Sequence, residues 1–143
     1  FKWDVIDDED WDGNVDEEAY VKFSKVGTRV LPALSIREKV WNAATQGDRG
    51  ARFTLAHELA HVFLHRRLAG VRLSRQAHQK LTSRTNSKQE KEANIYAGAL
   101  LVNFPSLRDN TNIFSVMSRY KVSDAVARRA LEQYSYIKRS RGY

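Results

Sequence analysis

The run Arg52-Phe53-Thr54-Leu55-Ala56-His57-Glu58-Leu59-Ala60-His61 constrains this chain more than any other stretch. It carries the spacing His-Glu-x-x-His, and one local geometry makes that spacing useful. On an α-helix, residues four apart share a face about one turn apart, so two imidazoles can converge on one metal ion. The glutamate between them can then address a water at that metal. Leu55, Leu59, Val62 and Phe63 supply apolar residues at helical spacing. The pattern therefore predicts a buried helix over about 54–67, capped by Thr54 and stopped near Gly70. The expected chemistry is zinc-dependent hydrolysis, with His57 and His61 as ligands and Glu58 as general base.

The chain has no cysteine, which excludes disulfides and any thiolate zinc site. The remaining metal ligand must be a histidine or a carboxylate, because a catalytic zinc takes three protein ligands and keeps one position open. His65 continues the stripe of His57 and His61. At about 1.5 Å rise per residue, however, it lies roughly 9 Å beyond the midpoint of that pair, far outside a bond of about 2 Å. It is expected to pack or to support a ligand. Leu64 and Arg67 stand where an extended metzincin pattern would need Gly and His, so that family is excluded.

The other candidates are His78, Glu90, Glu92, Asp109, Asp124 and Glu132. A second helix is predicted over about 88–102. Stepping about 100° per residue from Ala93 places Ala97, Leu100, Leu101 and Glu90 on one face and Glu92 at its edge. Glu90 is the favoured third ligand, with Glu92 and His78 as alternatives. Asn94, one turn beyond Glu90, is placed to hydrogen-bond a ligand imidazole. His78 or Tyr96 is the candidate donor to a developing oxyanion.

With 143 residues the chain has the size of one domain with an adequate core, and no internal repeat is visible. No apolar run is long enough to cross a bilayer, and no basic-then-apolar leader precedes the first elements. A cytoplasmic location without membrane contact is expected, and the start at Phe1 suggests a segment of a longer protein. The formal net charge of +7 is unevenly distributed: residues 1–18 hold nine acids against Lys2 alone. Residues 66–91 carry eight basic side chains, with Glu90 and no other acid among them. A basic body of this kind suits nucleic acid or an acidic protein, and solvated surface is the plainer reading of the acidic stretch. Trp3 and Trp11 argue against a disordered tail there.

Between these landmarks, residues 19–34 predict one or two short strands. Ser35 with Glu38 forms a capping-box pattern before a short helix ending ahead of Gly47, and Asp48-Arg49-Gly50 is expected to be a loop. Thr82 to Ser87 is expected to be a polar loop. The tail predicts two helices, Ile113 to Tyr120 and Ser123 to Ile137, joined by a tight Lys121-Val122 turn.

The stretch from Arg52 to His65 resembles the signature of the ImmA/IrrE metallopeptidases, and Glu90-Lys91-Glu92-Ala93-Asn94-Ile95-Tyr96-Ala97 resembles their second motif. Arg37 to Trp41 and Gly47-Asp48 resemble the segment before the metal helix in some members, and Tyr120 to Ser123 with the following helix resembles their helix-turn-helix-like region. The similarity covers most of residues 27–134. Ala60 replaces the usual Gly, Tyr96 stands where Phe is common, and Leu100 to Pro105 lacks the family's Leu-Leu-Met-Pro ending. The resemblance implies a zinc-dependent gluzincin protease with His57, His61 and Glu90 as ligands and Glu58 as base. It also implies a protein substrate, a helix-turn-helix transcriptional repressor, whose cleavage relieves repression in a mobile element or a stress response.

The expected architecture is α+β: an acidic N-terminal arm (1–18), a zincin-like core (19–105) and a C-terminal helix-turn-helix-like region (106–143). In the core, a short sheet packs on the metal helix and on a second ligand-bearing helix. The competing expectation is a non-enzymatic regulator with structural zinc. Its C-terminal helices would bind DNA or a partner through Arg119, Lys121, Arg128 and Arg129.

Overall fold

A computed structural model describes residues 2–65, 72–76 and 84–142, the side chains of 72–76 and 84–87 excepted. His78 and much of the basic 66–91 stretch lie outside the described residues. Strands β1 (Lys2–Ile6), β2 (Glu17–Val26), β3 (Arg29–Arg37) and β4 (Arg72–Gln76) form one sheet in the order β1-β3-β2-β4. The helices are α1 (Glu38–Thr45), α2 (Arg49–Leu64), α3 (Arg84–Leu101), α4 (Ile113–Tyr120) and α5 (Asp124–Ser140). The fold is α+β, with the sheet and α1–α3 followed by the α4–α5 pair.

β2 and β3 make a hairpin whose register follows from side-chain alternation. The pairs Ala19↔Ile36, Val21↔Leu34 and Phe23↔Pro32 stack buried residues on one face. Gly27, at φ 61°, takes the first position of the two-residue turn between Val26 and Arg29, where a tight hairpin needs positive φ. Pro32 has no N–H to donate, and it sits just before Ala33, the first residue of β3 that β1 pairs.

The acidic N-terminal stretch contributes β1, which runs parallel to β3, and the first two residues of β2. Trp11 Nε1 donates to the Asn14 carbonyl, and the Tyr20 hydroxyl donates to Asp12. Arg37 donates to Asp8 and to the Val15 carbonyl, with its guanidinium over the Trp11 ring. Glu17 is buried and accepts from the Asn14 N–H, whereas Asp4, Asp7, Asp8, Glu9 and Asp10 are exposed.

Several helix starts differ from expectation. The metal helix begins at Arg49, not near Thr54, because Asp48 accepts from the Ala51 N–H at 2.8 Å and caps it. Arg49 and Gly50 are therefore helical rather than loop. Thr54 is an interior residue, 1% exposed, whose hydroxyl donates to Glu18 on β2 at 2.6 Å. The helix ends at Leu64, with His65 as its C-cap. Ser35 does not cap α1: it belongs to β3, and α1 follows Arg37 with no side-chain cap. α3 begins at Arg84, so residues 84–87 are helical where a loop was expected.

α2 is enclosed. Its buried residues Ala51, Thr54, Ala56, His57, Glu58, Ala60, His61 and Val62 fall on more than one face. Ala51 and Val62 join Ala19, Val21, Phe23, Leu34 and Ile36 in the core beneath the sheet. α3 packs along α2 through Ala93 and Ala97, both 0% exposed, and such small side chains let the two helices approach closely. A second core joins Val102 and Leu107 to Val116, Val122, Ala127 and Ala130 of the C-terminal helices. Asn112 caps α4 through the Ser115 N–H, Lys121 closes it at φ 53°, and Ser123 caps α5. Arg52 donates to the Tyr120 carbonyl and so ties α2 to the end of α4.

Candidate metal centre

Two helices bring the donors together. His57 and His61 lie one turn apart on α2, 1% and 0% exposed, and Glu90 reaches them from α3. His57 Nε2 is 2.9 Å from Glu90 Oε2, His61 Nε2 is 3.2 Å from Glu90 Oε1, and the two Nε2 atoms are 3.1 Å apart. Two ligands at about 2.0–2.1 Å from one tetrahedral zinc stand roughly 3.3 Å apart, so these spacings approach the edges of one coordination tetrahedron.

The hydrogen bonds behind the rings agree with that geometry. His57 Nδ1 lies 3.0 Å from Asn94 Oδ1, so an N–H at that nitrogen donates outward and frees the Nε2 lone pair for a metal. His61 Nδ1 lies 2.9 Å from His65 Nδ1, and His65 Nε2 lies 3.1 Å from Glu92 Oε2. With an ion among them, both rings present an Nε2 lone pair beside the Glu90 carboxylate; without one, a ring that carries hydrogen on Nε2 donates to Glu90 instead. The residues present fit a divalent metal with N and O preference. Among the described residues, His57, His61 and Glu90 form the group able to hold an ion, their donor atoms all within 4.8 Å of one another.

Electrostatics favour the ligand-competent state. Burial lowers the His61 imidazole below its ordinary value, against the raising effect of its hydrogen bond to Glu90, which keeps the ring neutral. Burial pushes the Glu90 carboxyl up, but hydrogen bonds to His57 and His61 outweigh it and set the group at about 2. A neutral imidazole and an ionised carboxylate are the forms that bind zinc.

The other expected site residues fall as follows. Glu58 is fully buried on α2 between the two histidines. Asn94 supports His57. Glu92 lies outside the metal cluster and meets His65, with Lys88 at 3.9 Å from its other oxygen. The Tyr96 ring sits 6.3 Å from that of Phe63. Asp109 pairs with Lys138 and Tyr134, and Asp124 with Arg128. His78 is outside the described residues. His65 contacts the outer nitrogen of His61, in keeping with the support role expected of it, whereas the continuation from His65 to Glu92 was not foreseen.

Beside His57 opens a cleft of about 370 Å³, lined by Arg49, Gly50 and Phe53 of α2, Asn94, Ile95 and Gly98 of α3, and Val126, Arg129 and Ala130 of α5. The Phe53 ring lies 6.2 Å from that of His57.

A buried His-Glu-x-x-His helix facing a glutamate from a second helix defines the active site of a zinc metalloendopeptidase of the gluzincin type. Residues 41–132 match a peptidase family described as the IrrE N-terminal-like domain. The match spans well over half of the chain, which belongs to this family and is a zinc-dependent peptidase of the IrrE/ImmA type. No curated protein and no solved structure matches it significantly.

Proposed function

We propose that the chain is a site-specific cytoplasmic endopeptidase that cuts a helix-turn-helix transcriptional repressor and so relieves repression in a mobile element or a stress response. The observation that carries peptide hydrolysis is the buried triad at tetrahedral spacing with Glu58 inside the ligand pair. The substrate class rests on the likeness to ImmA/IrrE peptidases. No described helix is long and apolar enough to cross a membrane.

In this reading His57, His61 and Glu90 hold one zinc. Bound there, zinc supplies Lewis acidity, acidifying water toward neutral pH and polarising a carbonyl. Glu58 takes the proton from the attacking water as its oxygen joins the scissile carbonyl carbon. The same carboxyl then passes the proton to the departing nitrogen as the C–N bond breaks, and with transfer of the second water proton the products are a carboxylate and an ammonium group. The cleft lined by Phe53, Ile95, Gly98 and Val126, to which none of the metal donors contributes, has room for a substrate side chain. The metallopeptidase core is residues 19–105, with β1 and the start of β2 from residues 1–18 completing its sheet and residues 106–143 packed on it as a helical region.

Direct DNA binding is the weaker reading. Val116, Val122, Ala127 and Ala130 commit the α4–α5 pair to the core, and Arg128 is paired with Asp124. The test is incubation of zinc-loaded protein with a purified helix-turn-helix repressor, followed by mass spectrometry. One discrete cut by the wild type, and a rate at least about 100-fold lower for Glu58→Gln, is expected. Equal cleavage by both would remove Glu58 from its role.

A further inference from the structure

We propose that Glu92 and His65 form a two-step positioning chain that holds metal ligand His61 in its binding tautomer, a role that rests on the zinc-site reading above. A neutral imidazole carries one N–H, and its position is set by the partner of the nitrogen that does not bind metal. For His61 Nε2 to present a lone pair, Nδ1 must carry the hydrogen and must find an acceptor. The partner at Nδ1 is another imidazole nitrogen, His65 Nδ1 at 2.9 Å.

An imidazole nitrogen accepts only if its own ring carries the hydrogen on the other nitrogen. His65 therefore has to donate from Nε2, and there it meets Glu92 Oε2 at 3.1 Å. An ionised carboxylate only accepts, so Glu92 fixes the direction of both bonds: His61 Nδ1–H to His65 Nδ1, and His65 Nε2–H to Glu92. Each ligand histidine thus has an oxygen at the end of its outer hydrogen bonding. His57 reaches it directly at Asn94, and His61 reaches it through one intervening ring.

Burial and placement set this apart from a histidine that merely fills space. His65 is 7% exposed at the C-cap of α2, where its N–H also donates to the His61 carbonyl at 3.0 Å. Side chain and backbone of one residue thereby clamp the same ligand. Glu92 stands two residues beyond Glu90 on α3, so the helix that supplies the third ligand also supplies the end of the chain. The Glu92 side chain is 43% exposed, which makes it replaceable with little effect on the fold.

The experiment is zinc affinity of the full chain by competition with a chromophoric chelator, with circular dichroism of each metal-free variant. His65→Leu and Glu92→Leu are expected to weaken zinc binding by about 10–100-fold while leaving the metal-free fold intact. His65→Gln is expected to recover most of the loss, because its amide accepts from His61 and donates to Glu92. The double variant should bind no worse than His65→Leu alone, since both residues act through one chain. Wild-type affinity in Glu92→Leu, or in a folded His65→Leu, overturns the proposal, as does His65→Gln binding no better than His65→Leu. A wild type that takes up no zinc refutes the metal site itself and the positioning chain with it. Glu90→Gln measured alongside reports on the site independently of His65.

Discussion

Glu90 and Glu92 are two residues apart on one helix, yet the first meets two imidazoles with its two oxygens and the second meets His65. The difference of about 200° around the axis sends one carboxylate to the helix interface and the other to its flank. That distinction was legible, because the apolar stripe of Ala93 and Ala97 marks the interface and Glu90 shares it. Glu90 also gives the metal-free protein an acid limb. Its folded pKa of about 2 lies below the ordinary 4.5, so its contribution to stability is full above about 4.5 and is lost as pH falls toward 2. Thermal unfolding of metal-free protein across that window should show this loss, and Glu90→Gln should flatten it. An unchanged acid profile in Glu90→Gln would contradict the pairing.

At the scale of elements, capping signals were the least legible part. Asp48 is at least as good a cap residue as Thr54, but the Asp48-Arg49-Gly50 run reads as a loop, which leaves Thr54 as the apparent start. The structure keeps Gly50 inside the first turn of α2, and Thr54 is occupied by Glu18. Replacing Asp48 by Ala should therefore cost about 1 kcal/mol in denaturant unfolding, the usual cost of a lost N-cap. No change would return the helix start to a later residue. Ser35 misled for a related reason: a Ser-x-x-Glu pattern overlaps the strand alternation of Leu34 and Ile36, and burial of both decides for the strand. On α3, a Cβ at Gly98 meets nothing within 4 Å. Gly98→Ala should stabilise the fold by roughly 0.8–1 kcal/mol through helix propensity alone; destabilisation in the same assay would mean that the cleft beside His57 is narrower than described.

Over the whole molecule, the α+β plan and the two-helix site follow from periodicity, but the role of the acidic stretch does not. Composition points to solvated surface, whereas β1 pairs with β3 through backbone hydrogen bonds that are indifferent to side-chain charge. Two cores result, one beneath the sheet and one within the C-terminal helices, and α2 and α3 carry the metal donors between them. Zinc-dependent peptide hydrolysis at this buried triad is the central claim. The most direct measurement is peptide-bond hydrolysis during titration of metal-free protein with zinc, using a panel of unfolded polypeptides and purified helix-turn-helix repressors as substrates and Glu58→Gln as the parallel sample. The prediction is activity that rises to a plateau near one zinc per chain, with Glu58→Gln binding the same zinc and hydrolysing nothing measurable. Zinc uptake without hydrolysis in the wild type, or an equal rate in Glu58→Gln, would contradict it.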